Sequence, residues 1–137
     1  MNRWGVYDIE DSLKGALSLV EKGLVDRYAL LISGGSSGGY TTLACLTFDT
    51  NVPRVFAAGT SYYGISDLEV LAKDTHKFES HYCDEMIAPY PDQVEVYHAR
   101  SPIYHVDQFG SPCCFFQGLL DQVCCLLSKL LWSSLGL

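Results

Sequence analysis

Gly34-Gly35-Ser36-Ser37-Gly38-Gly39-Tyr40, directly after the apolar run Tyr28-Ala29-Leu30-Leu31-Ile32, sets the architecture of this chain. A serine in G-x-S-x-G between a strand pattern and a helical pattern is the sequence form of a nucleophile elbow. A chain that leaves a strand and turns at once into a helix must fold tightly, so small residues are needed on both sides of the serine. Gly34 and Gly38 supply them. The turn lifts Ser36 Oγ above the sheet at a helix N-terminus, whose N–H groups and dipole favour developing negative charge. The Ser37 N–H is then one oxyanion donor. The plain alternative is a flexible glycine-rich linker. The strand-like residues before it and the helical face of Leu43, Ala44 and Leu46 after it favour the elbow. A phosphate-binding P-loop is disfavoured, because the stretch has no lysine.

The rest of the composition narrows the function classes. At 137 residues the chain has the size of one ordinary domain. Nearly half of it is apolar and 18% is charged, which argues for a folded core. The formal charge of −7 offers no basic surface for phosphates, so nucleic acid is not an expected partner. The six cysteines include two adjacent pairs, Cys113-Cys114 and Cys124-Cys125, and none has the C-x-x-C spacing of a zinc or dithiol site. Reduced thiols are expected, with no metal and no cofactor. Neighbouring cysteines in a strand point to opposite faces, which argues against joint redox or metal chemistry. The N-terminus reaches acidic residues by Asp8 without an apolar signal core, and Val123 to Leu131 is too short to span a bilayer. A cytoplasmic protein without a membrane role is the expectation.

The order of elements points to an α/β fold. Ile9, Leu13, Ala16, Leu17 and Val20 share one face of a helix from Val6 to Lys22 that stops at Gly23. Strands are expected near 28–33, 55–60 and 113–117, the first apolar on both faces as a buried parallel strand would be. Short helices are expected over Asp67 to Ala72, Phe78 to Met86 and Pro91 to His98, with a closing helix over Val123 to Leu135. This is the rhythm of a mainly parallel sheet flanked by helices in three layers. The third strand ends in Gln117-Gly118-Leu119-Leu120-Asp121, and catalytic groups in such sheets collect at the carboxyl ends of strands. Asp121 is thereby expected on the same edge as Ser36.

These residues resemble the catalytic α/β-hydrolase domain of the prolyl oligopeptidase family of serine peptidases, above all its acylaminoacyl-peptidase and dipeptidyl-peptidase-like members. The resemblance rests on Trp4-Gly5 with Asp8 and Asp11, the elbow, Ser61-Tyr62-Tyr63-Gly64, Thr75-His76-Lys77-Phe78-Glu79-Ser80, Arg100-Ser101-Pro102-Ile103 and Phe116-Gln117-Gly118-Leu119-Leu120-Asp121. It runs in family order over about residues 3 to 121. It implies a partial α/β-hydrolase domain over 1–121, with Ser36 as nucleophile and Asp121 as triad acid. It implies that Tyr62 and Tyr63 line the substrate pocket, and that short peptides are cleaved through an acyl-enzyme.

Three departures accompany the match. The family's catalytic histidine lies in a His-Gly loop well beyond the acid, and here no histidine occurs in the sixteen residues after Asp121. His76, His81, His98 and His105 all precede Asp121, and surface or helix-packing roles are expected for them. The resemblance also implies strands before the first helix, one of which leads to the second oxyanion donor, and this sequence is expected to lack them. Residues 122–137 depart from the family's valines and prolines and are expected to be a divergent apolar tail arising from splicing, a frame error or gene decay. Two functions stay open: a peptidase domain with little activity alone, or a non-catalytic fragment or interaction module on the same scaffold. Exposed sheet edges would also favour self-association.

Overall fold

The computed structural model describes residues 2–74 and 82–118. Helix α1, Tyr7–Glu21, is followed by strand β1, Leu31–Gly35, helix α2, Ser37–Phe48, and strand β2, Ala58–Tyr62. Helices α3, Leu68–Asp74, α4, Tyr82–Met86, and α5, Val94–Arg100, lead through a 3-10 helix at Pro102–Gln108 to strand β3, Cys113–Phe116. The strands form one parallel sheet in the order β1-β2-β3. The expected α/β architecture is the observed one.

Helix α1 ends where its glycine predicts. Gly23 takes φ 66°, its N–H donates to Val20 C=O at 2.8 Å, and the Leu24 N–H donates to Leu19 C=O at 3.0 Å. This is the Schellman pattern, open to glycine because it has no Cβ to clash. Helix α2 is the centre of the core: Tyr40 and every residue from Thr42 to Thr47 are buried. The face expected from Leu43, Ala44 and Leu46 therefore widens to the whole circumference. Its buried hydroxyls are satisfied locally, Thr42 donating to Gly38 C=O and Thr47 to Leu43 C=O.

The strands start about three residues later than expected at β1 and β2. Asp26 explains the first shift. Its carboxylate accepts the Tyr28 N–H and its carbonyl accepts the Ala29 N–H, which holds 26–29 in a turn. The Arg27 guanidinium meanwhile reaches the carbonyls of Pro53, Arg54 and Val55. Before β2, the buried Asp49 carboxylate accepts the Val55 N–H, keeping Val55 and Phe56 as loop residues buried in the core.

Burial of β1 on both faces is not observed. Ile32 packs into the core, whereas Leu31 is 71% exposed and Tyr28 77%. Asp67 precedes α3 as a cap, its Oδ1 accepting the Glu69 and Val70 N–H groups. Helix α4 ends at Met86 as expected, the first residues of that expected helix lying outside the described ones, and α5 falls near its expected position, displaced toward the C-terminus. No helix among the described residues is long and apolar enough to cross a membrane.

Candidate active site

Ser36 alone joins β1 to α2. Its backbone takes φ 54° and ψ −119°. A non-glycine residue at positive φ costs on the order of 1–3 kcal/mol and persists only where its surroundings enforce it. Here the Ser36 N–H donates to Tyr62 C=O at 3.1 Å and the Ser36 C=O accepts the Tyr40 N–H at 3.0 Å. One bond ties the serine to the end of β2, and the other starts the helix.

The glycines divide the work differently from the expectation. A Cβ on Gly34 would overlap the carbonyl of Gly38, so Gly34 must be bare for the turn to close. A Cβ on Gly38 would meet nothing within 4 Å. Its role in the turn is carried by its backbone. The second crowded position is Gly39, where a Cβ would stand 2.5 Å from Gly64 Cα. The start of α2 can thus lie against the loop after β2.

Anchoring comes from Tyr40. Its buried phenol donates to Arg100 C=O at 2.9 Å, its ring lies 4.9 Å from that of Trp4, and burial pushes its ionisation far above the usual range. Asp8 adds a second tie, accepting the Gly5 N–H at 2.7 Å and the Thr41 hydroxyl at 3.2 Å. The Trp4-Gly5 and Asp8 pieces of the sequence pattern are thus supports of the elbow helix. Ser36 and Ser37 are exposed at its mouth, and the first turn of α2 holds no acidic side chain to compete for its N–H groups. The Ser37 N–H stands in that first turn, where helical N–H groups have no intrahelical acceptor.

Tyr62 and Tyr63 stand at the same carboxyl edge. The Tyr62 ring is stacked on Phe116, with centroids 5.1 Å apart and planes at 11°. Tyr63 takes φ 39°, and its N–H donates to Phe116 C=O at 2.7 Å. The two bonds from Ser36 to Tyr62 and from Tyr63 to Phe116 link the ends of all three strands. Asp121 lies outside the described residues, as do His76, His81, the Cys124-Cys125 pair and the tail.

The described histidines have other partners. His98 Nε2 lies 2.7 Å from Glu69 Oε2, joining α5 to α3, and its ring is 4.3 Å from that of Tyr104. His105 Nε2 is 3.2 Å from His98 O, and its ring meets Phe48 edge-on. Both roles are the packing roles expected. Burial pushes the Cys45 thiol up to about 12 and Cys113 up to about 11, so both stay protonated. Cys113 is half-buried while Cys114 is exposed, on opposite faces of β3.

Sequence reasoning missed the Glu69 cluster and the contact between Gly35 and the Tyr63 ring. The doubled glycines were the available signal for the second. The first joins residues too far apart in sequence to be read as a motif.

A family model described as the prolyl oligopeptidase family matches residues 1–134. The chain is 31% identical over 121 residues to dipeptidyl peptidase family member 6 of Caenorhabditis elegans, covering 84% of this chain and 16% of that protein. Among solved structures, a Mycobacterium tuberculosis puromycin-hydrolyzing peptidase superposes with a TM-score of 0.87 at 42% identity, over 97% of this chain and 20% of that one. The Pyrococcus horikoshii acylaminoacyl peptidase superposes with a TM-score of 0.82 at 27% identity, over 98% of this chain and 21% of that one. The likeness therefore spans nearly all of this chain and about a fifth or less of each relative. With a strained serine between a parallel strand and a buried helix, and a family match along almost its whole length, the chain belongs to the prolyl oligopeptidase family.

Proposed function

We propose that this chain carries the nucleophile segment of a serine peptidase site acting on short peptides. The observation that carries this reading is the enforced positive φ of Ser36 at the β1–α2 turn. Ser36 Oγ attacks the peptide carbonyl while its proton passes to a base, the C–N bond breaks as the amine takes that proton, and water then cleaves the acyl ester. The Ser37 N–H stabilises the oxyanion, Asp121 orients the base, and Tyr62 and Tyr63 line the pocket. No cofactor enters these steps.

The assignment calls for a histidine base to take the Ser36 proton. His98 and His105 are engaged in helix packing, which favours a second reading: alone, the chain is a scaffold with little or no turnover. Loss of the triad base lowers kcat by on the order of 10⁶. A fluorophosphonate probe on the purified chain separates the two. Labelling that disappears in Ser36→Ala would establish the nucleophile and overturn the inactive reading, whereas no labelling of either protein would favour the scaffold. Self-association through the β1 edge is part of the same proposal, because Leu31 and Ser33 are exposed there without a charge or proline to guard the strand.

A further inference from the structure

Gly35 is not needed by the elbow turn itself, which closes through Gly34 and Ser36. A Cβ on Gly35 would nevertheless lie 2.9 Å from the Tyr63 phenol oxygen, 3.0 Å from Cζ and 3.2 Å from Cε2. All three atoms belong to the far end of one side chain. Tyr63 is brought there by its own backbone, with φ 39° and its N–H on Phe116 C=O. The preceding residue, Tyr62, accepts the Ser36 N–H. The ring thus occupies the space of a side chain on the residue immediately before the serine.

We infer that Gly35 is a positioning residue: its bare Cα admits the Tyr63 ring to the strand end beside Ser36, so that Gly35 sets the width of an aromatic wall for an apolar substrate side chain. This rests on the reading of Ser36 as the nucleophile. The contrast with Gly34 defines the role. An added methyl at Gly34 meets backbone and opposes the turn, whereas one at Gly35 meets only the outer end of one side chain. Gly35→Ala re-aims Tyr63 and leaves the fold in place.

The test uses the whole chain with fluorotyrosine, the Tyr63 signal being identified by its loss in Tyr63→Phe. Gly35→Ala is expected to shift that signal while the melting temperature stays within a few degrees. Two phosphonate probes, one with an aromatic and one with a small alkyl side chain, read the pocket. Their ratio of labelling rates should change roughly tenfold in Gly35→Ala and should not change when Tyr63→Ala is already present. An unmoved Tyr63 signal, or the same ratio change in the Tyr63→Ala background, overturns the inference. If neither probe labels the parent chain, the nucleophile reading fails by itself, and the Tyr63 signal still decides the role of Gly35.

Discussion

The two faces of the three-stranded sheet are made by the same strands and end in opposite environments. On one face Gly59 and Ser61 are buried beneath α2, and a Cβ on Gly59 would approach Leu46 Cδ1 to 2.7 Å and Ile32 Cγ2 to 3.2 Å. On the other face Leu31, Tyr62 and Phe116 are exposed. The difference teaches that an apolar strand records its capacity for burial and not which side is covered. Small residues mark the covered side here, because they let the helix approach closely.

The largest expected effect sets the faces against each other. Leu46→Ala, at a fully buried position touching the sheet, should cost about 2–5 kcal/mol. Leu31→Ala, on the open face, should stay within about 0.5 kcal/mol. Urea unfolding of both variants measures this, and equal costs would show that the open face is packed in solution.

A smaller effect concerns association at that open side. Leu31→Lys places a charge on the β1 edge and should weaken self-association about tenfold, or about 1.4 kcal/mol. Sedimentation equilibrium reads the change. An unaltered constant would move the contact surface away from β1.

The smallest effect lies away from the sheet, at the Glu69 cluster. Hydrogen bonds from Lys73 first and His98 second hold the Glu69 carboxyl down to about 2, against an ordinary 4.5. A depressed acid stabilises the folded state above its unfolded value and loses that contribution as pH falls. Stability should therefore decline from about pH 4.5 toward 2, and Glu69→Gln should flatten this part of the curve. An unchanged acid slope in thermal melts would show that the clamp between α3 and α5 adds nothing.

The geometry of the turn at Ser36 was legible because its causes are local. The G-x-S-x-G spacing marks a strand-to-helix turn, and Gly23 ends α1 through bonds to residues three and five positions earlier. The start of β1 was not legible, because Asp26 and Arg27 set it through a turn and through carbonyls 26 to 28 residues away. The 3-10 helix at Pro102–Gln108 was missed for a related reason. It packs on α2, and the stretch has no apolar period of its own. Among the elbow glycines, sequence spacing pointed to Gly34 and Gly38, whereas space is tight at Gly34, Gly35 and Gly39 and open at Gly38.

The sequence by itself determined the family, the α/β order of elements and the position of Ser36, since these follow from short-range pattern and from residues in fixed order. Only the tertiary structure decided which sheet face is covered, which glycines are crowded and where the Tyr63 ring lies. Those outcomes depend on distances between segments remote in the chain, such as Gly39 with Gly64 and Gly35 with Tyr63. Steric exclusion acts through space, and no local spacing encodes it.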